Sequence, residues 1–163
     1  MMKLLIALGI LLSNVCAHAQ AFPNHNIQVV VPVAAGGGTD LLARNLSQRV
    51  GEILGQTLVV ENRLGAGGNI GVEYVMKSKA DGYTLLISPA TIATNVAVYK
   101  KIPYDLVKDL QAITLIGQTG VVLVVHPSVK ANNLKEFIEL MKSKNGDMNY
   151  GSAGMGSPQH LQA

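Results

Sequence analysis

IQVVVPVAAGGGTDLLARNLSQRVGEIL, running from Ile27 to Leu54, decides how the rest of the chain is read. Its β-branched apolar run (Ile27, Val29, Val30, Val31) stops at Pro32, passes through Ala34, Ala35 and three consecutive glycines, and resumes with helical spacing after Thr39. That pattern predicts a strand, a glycine loop and a helix. Gly36, Gly37 and Gly38 let a guest approach the backbone closely, and Thr39 is expected to be the N-cap, its hydroxyl accepting one amide hydrogen. The remaining free amides and the positive end of the helix dipole favour an anion at this spot. The same glycines equally suit a plain tight turn between strand and helix.

A phosphate is disfavoured as that anion. A P-loop places Gly-Lys-Ser/Thr after its glycines, whereas here Gly38 is followed by Thr39 and by Asp40, which would repel a phosphate at close range. The second glycine cluster (Gly65, Gly67, Gly68, Gly71) has Ile70 where the dinucleotide fingerprint needs its third glycine.

The first 19 residues read as a cleaved export signal. Lys3 supplies a basic start, Leu4 to Leu12 an apolar core, and Ala17-His18-Ala19 a small-x-small cleavage site, so the mature chain is expected to begin near Gln20. The apolar run is shorter than the roughly 20 residues a spanning helix needs. Cys16, the one cysteine, leaves with the signal, which removes disulfides, thiolate nucleophiles and cysteine metal sites. Loss of Lys3 takes the formal charge from +3 to +2, and with no basic run and no Trp the chain does not read as a nucleic-acid binder.

Beyond the opening stretch, Leu42, Leu46, Val50, Ile53 and Leu54 are expected on the buried face of the first helix, with Arg44, Gln48 and Glu52 opposite and Gly55 ending it. Thr57 to Glu61 and Tyr83 to Ser88 read as further strands, separated by a helix capped at Asn69 and carrying Ile70, Val72, Val75 and Met76. Strand and helix in alternation imply parallel pairing in an α/β layer structure. Ligands in such sheets bind beyond the carboxyl ends of the strands, which are here Pro32 to Thr39, Glu61 to Gly68 and Ser88 to Thr91. The hydroxyls of Ser88, Thr91 and Thr94 suit a small polar guest, or else cap the short helical stretch Ile92 to Tyr99.

Lys100 to Leu110 reads as an irregular surface passage. Ala112 to Val125 reads as two strands broken at Gly117 to Gly120, the natural place for the chain to cross into a second lobe. His126, beside Pro127, is assigned a structural role. Asn133 and Glu136 have capping-box spacing before a helix whose stripe is Leu134, Phe137, Ile138 and Met141, ending near Asn145-Gly146. A strand at Met148 to Tyr150 then leads to a second glycine loop, Gly151 to Gly156, with Ser157 as N-cap and Pro158 at the first helical position. Two helix N-termini facing one another across a cleft would suit a guest with two carboxylates. The chain accordingly divides into a signal at 1–19, a first lobe at 20–113, and a hinge crossing with part of a second lobe at 114–163.

VVVPVAAGGGTDLLAR (Val29 to Arg44), VVENRLGAGGNIG (Val59 to Gly71), DGYTLLIS (Asp81 to Ser88), YDLVKDL (Tyr104 to Leu110) and YGSAGMGSPQHL (Tyr150 to Leu161) together resemble the Bug family of extracytoplasmic solute receptors, the substrate-binding proteins of tripartite tricarboxylate transporters. The resemblance implies a two-lobed α/β fold of the type II periplasmic-binding-protein kind. It implies a periplasmic, monomeric, non-catalytic protein without cofactor, which closes on a small di- or tricarboxylate and presents it to integral membrane transporter subunits. The guest would be held largely by backbone amides and ordered waters.

Carried onto this chain, the family's ligand contacts fall on Gly36, Gly37, Gly38, Thr39 and Asp40, on Ser88, Ala90 and Thr91, and on Ser152, Ala153, Gly154, Gly156 and His160. Asp40 would act through water or on a ligand amino or hydroxyl group, or serve only as a charge at the helix N-terminus. Arg44, Arg63 and Lys100 could tune ligand choice, or be solvated surface charges. Family members continue past the position of Ala163, so the resemblance implies an amino-terminal fragment, expected to fold poorly and not to bind by itself. Two other readings remain open: a periplasmic sensor feeding a signalling receptor, and an exported α/β hydrolase with Ser152 or Ser157 as nucleophile and His126 or His160 as base. The nucleophile elbow needs glycine two residues before the serine, where this chain has Tyr150 and Met155.

Overall fold

The computed structural model describes residues 21–118, 120, 122–152, 155, 157, 160 and 161. The export signal with Cys16, and Ala153, Gly154, Gly156 and Pro158 of the second glycine loop, lie outside the described residues.

Strand β1 (Ile27–Val31) is the middle of a three-stranded sheet in the order β2-β1-β3, parallel to both β2 (Leu58–Asn62) and β3 (Thr84–Leu86). Val29 pairs with Val60 on one side and Leu85 on the other. A strand covered on both faces needs apolar side chains pointing both ways, and Val29, Val30 and Val31 are fully buried. Helix α1 (Gly38–Leu54) packs over one face, where Val29, Val31 and Ala43 form the core with Val33, Leu58, Val60, Leu85 and Ile87 around them. Helix α2 (Asn69–Met76) takes the other face, where the Tyr74 hydroxyl donates to Gln28 Oε1 at 3.0 Å.

The face that α1 buries differs from the expected one. Asp40, Ala43 and Ser47 are buried, while Leu42 is exposed and Ile53 is 81% exposed. Small residues at the contact let the helix axis lie close to the strands, and at Gly51 a Cβ would already stand 3.0 Å from the Gln56 carbonyl oxygen. Leu46 and Val50 therefore flank the contact, half-buried. Gly55 ends the helix in the left-handed conformation, as expected.

Two further turns of helix follow β3, a 3-10 turn at Ala90–Ala93 and α3 (Asn95–Val98), and α4 (Leu134–Ser143) comes later. The capping box of α4 is present: the Glu136 amide donates to Asn133 Oδ1 at 3.0 Å, and the Glu136 carboxylate accepts from the Asn132 amide at 2.8 Å. The strands expected within Ala112 to Val125 and at Met148 to Tyr150 do not form among the described residues. A strand exists only by joining a sheet, and the three-stranded sheet includes neither segment; Ile113, Leu115, Val122, Leu123 and Val124 are exposed.

Candidate functional site

The carboxyl ends of β1, β2 and β3 bring three loops to one edge of the sheet. Their convergence is tight at Gly68, where a Cβ would lie 3.3 Å from Pro32 Cβ and 3.7 Å from Ile92 Cγ2. Pro32 belongs to the loop after β1, Gly68 to the loop after β2, and Ile92 to the turn after β3.

The first loop ends in the N-terminus of α1, but the cap is not Thr39. Gly37 occupies that place with extended backbone (φ −73°, ψ 163°), the helix starts at Gly38, and no side chain caps it. Thr39 is the second helical residue, the backbone turning helical two residues earlier than a cap at Thr39 would need. The Gly37 amide donates to the Ala34 carbonyl at 3.3 Å, and the Gly36 amide to Asp40 Oδ2 at 2.8 Å. The amides of Gly38, Thr39 and Asp40 belong to the first turn and have no intrahelical acceptor. Among the described residues no side chain takes their place, so the N-terminus stays open to an anion.

Asp40 itself turns inward and is 1% exposed. Its Oδ2 also accepts from Arg44 Nε at 3.0 Å, and its Oδ1 accepts from Asn62 Nδ2 at 2.8 Å. The same Asn62 nitrogen donates to the Val33 carbonyl at 3.0 Å, while Arg44 Nη2 donates to Asn62 Oδ1 at 2.9 Å. The Arg44 guanidinium, then the Gly36 amide and Asn62, hold the Asp40 carboxyl down at about 2. Arg44 is thus committed to the protein. Arg63 is too, lying 3.4 Å over the Tyr74 ring and pairing with Glu61 at 2.8 Å.

In the second loop, Asn69 does not cap α2. Gly68 is the cap residue, and the buried Asn69 side chain instead accepts from Asn95 Nδ2 at 2.8 Å and from the Tyr104 hydroxyl. Asn95, fully buried, also donates to the Gly67 carbonyl at 2.9 Å. Asn62 stands in the VVENRLGAGGNIG stretch, but nothing there indicates its partners, and no motif marks Asn95; each meets its partners far along the chain. In the third loop Ser88 and Thr91 are half-buried and Ala90 is exposed; the Thr94 hydroxyl is used locally, donating to the Thr91 carbonyl at 2.8 Å.

The second glycine loop approaches this edge through Met155, whose carbonyl accepts from the Tyr99 hydroxyl at 3.1 Å and would stand 2.9 Å from a Cβ on Gly67. Ser152 is exposed. Ser157 behaves as the expected cap, its Oγ accepting from the amide of the half-buried His160 at 3.2 Å. His126 closes a local turn, its Nδ1 within 2.8 Å of Ser128 Oγ. Among the described residues no group of three His, Cys, Asp or Glu could hold a metal ion. A cleft of about 440 Å³ lies at the opposite end of α1, between Ser47, Gly51 and Gly55 and the start of β2, away from the three loops.

The parallel α/β sheet, with its glycine loops along the carboxyl edge, is part of a periplasmic-binding-protein-like fold, as its likeness to solved binding proteins shows. The chain belongs to the tripartite tricarboxylate transporter receptor family: residues 42–163 match the family described as TctC, Tripartite tricarboxylate transporter family receptor. Protein BugT of Bordetella pertussis is 37% identical over 167 aligned residues, covering 99% of this chain and 51% of the relative. The periplasmic binding protein BugD is 34% identical, with a TM-score of 0.73 over 86% of this chain and 47% of that one. MatC from Rhodopseudomonas palustris, solved with bound malate, is 33% identical, with a TM-score of 0.78 over 84% of this chain and 47% of that one. The chain thus spans about half the length of the relatives it matches.

Proposed function

We propose that this chain forms part of a periplasmic solute receptor that captures a small di- or tricarboxylate and presents it to the membrane subunits of a tripartite transporter. The observation that carries the reading is the uncapped N-terminus of α1, where the Gly38 and Thr39 amides stand at the loop edge of the sheet with no side chain to accept them among the described residues. The bound malate of MatC supports it, because that protein shares this fold at 33% identity.

In this reading Gly36, Gly37, Gly38 and Thr39 cradle one carboxylate, and Asp40 lies behind them. Ser88, Ala90 and Thr91 line the neighbouring loop, and Ser152, Ala153, Gly154, Gly156 and His160 form the opposing cradle of a second lobe that begins near residue 114. The protein acts without a cofactor and without catalysis. The Ser157 hydroxyl, offered as a nucleophile in a hydrolase reading, serves as a helix cap instead.

The test is a thermal melt of the full-length protein against malate, citrate, succinate and the uncharged succinamide. A ligand at a hundred times its Kd adds about 2.7 kcal/mol of stability. A shift with the acids and none with succinamide supports the carboxylate receptor. A shift with succinamide alone, or with none of the four, counts against it.

A further inference from the structure

We propose that Asp40 is a positioning residue of the carboxylate cradle: it fastens the loop from Val33 to Gly38 in the shape that leaves the Gly38 and Thr39 amides free, without itself touching the guest. The inference rests on the reading of that loop as a carboxylate site. A carboxylate one turn behind an anion cradle would ordinarily oppose the guest. Here the charge is turned inward, 1% exposed, and cancelled by Arg44 at 3.0 Å.

What the carboxylate does instead is geometric. By accepting the Gly36 amide at 2.8 Å it folds the loop back on the helix, and Gly36 adopts φ +82°, a conformation that costs a residue with a side chain. Its other oxygen accepts from Asn62, which reaches over from β2 and donates to the Val33 carbonyl as well. Arg44 closes the ring onto Asn62 at 2.9 Å. The loop is thereby tied at its start, at its middle and at the helix, through one buried carboxylate that two separate elements hold in place. A purely electrostatic role at the helix N-terminus would need none of these ties.

The experiment compares Asp40→Asn, Asn62→Ala and the core control Val29→Ala in the full-length protein, with malate as probe. Three quantities are read: Kd by calorimetry, Tm, and hydrogen exchange of the Gly36 amide. Apparent Kd rises as the inverse of the fraction of loop held in the binding shape, so Asp40→Asn, which loosens that shape, is expected to raise Kd by about tenfold and to speed Gly36 exchange. Asn62→Ala should move both in the same direction by less, and it carries the comparison where Asp40→Asn fails to fold. Val29→Ala should lower Tm while leaving Kd near the wild-type value. Wild-type affinity in Asp40→Asn, or a loss that Val29→Ala reproduces at equal Tm, overturns the proposal. Should the wild type bind none of malate, citrate and succinate, the carboxylate reading fails separately; Asp40's hold on the loop is then refuted by unchanged Gly36 exchange in Asp40→Asn.

Discussion

Asn95 donates from Nδ2 to Asn69 Oδ1 at 2.8 Å across 26 residues of chain, and with its other hydrogen it reaches the Gly67 carbonyl at 2.9 Å. One buried amide therefore ties the glycine loop after β2 to both α2 and α3. Replacing it leaves the buried Asn69 oxygen and the part-buried Gly67 carbonyl without this donor. Asn95→Ala is expected to lower the unfolding free energy by about 1–3 kcal/mol, read from urea denaturation. Asn95→Asp should cost more at neutral pH, because a carboxylate would then face two acceptors. Tyr104→Phe removes the hydroxyl that donates to Asn69 and should cost about 1 kcal/mol.

Acid should act on this protein partly through Asp40. Its carboxyl is lowered from 3.8 to about 2, first by Arg44 and then by the Gly36 amide and Asn62. A depressed folded-state pKa means that the unfolded chain takes up the proton first as pH falls. The stabilisation is complete above about pH 4 and is lost as pH drops toward 2. Asp105, lowered chiefly by Lys108, and Glu136, lowered chiefly by the Asn132 amide, add to the same decline. The difference between wild type and Asp40→Asn isolates the Asp40 share: it should be largest near neutrality and shrink between pH 4 and pH 2.

The N-terminus of α4 depends on a reciprocal cap. Asn133 Oδ1 accepts the Glu136 amide, and the Glu136 carboxylate accepts the Asn132 amide and the Asn133 side-chain amide. Asn133→Ala should cost about 1 kcal/mol, seen as fraying of Leu134–Ser143 by hydrogen exchange. Glu136→Ala combined with it should cost less than the two single changes added together, since both act on one motif.

Local signals were the legible ones. The IQVVV run, the glycine loop, the left-handed Gly55 and the capping box at Asn133 each depend on neighbours within a few residues, and each stands where the sequence puts it. The buried face of α1 was not legible. Apolar size pointed to Leu42 and Ile53, whereas close approach to the sheet selects the small residues Ala43 and Ser47, and Gly51 sits against the Gln56 carbonyl in the turn before β2. The apolar run from Ala112 to Val125 has strand character, but β structure is a property of pairs and its pairing cannot be read from one segment. At the site, the glycine loop showed itself and its fastening did not. Asp40 read as a ligand contact or as a helix charge, not as a fastening, because its partner Asn62 lies 22 residues away and nothing in the VVENRLGAGGNIG stretch points back to it.

Two glycines separate what the fold demands from what a guest demands. At Gly71 a Cβ would meet the Arg63 carbonyl oxygen at 2.9 Å and Pro32 Cβ at 2.9 Å, neither of them the free end of a flexible side chain. Gly71→Ala should therefore cost about 1–3 kcal/mol by overpacking, whatever the protein binds. Gly38 is the opposite case: it is the first residue of α1, and nothing stands within 4 Å of a Cβ built there. Alanine at such a position usually stabilises by about 0.4–1 kcal/mol by restricting the unfolded chain. If the three glycines made only a tight turn, Gly38→Ala would be silent in binding and neutral or favourable in the melt. A carboxylate cradle at the open end of α1 leads to a split result, with Tm held or raised while malate affinity falls, because the new methyl group crowds the approach to the amides. A melt and a titration on the same sample decide it, and wild-type affinity in Gly38→Ala would leave the loop as a turn.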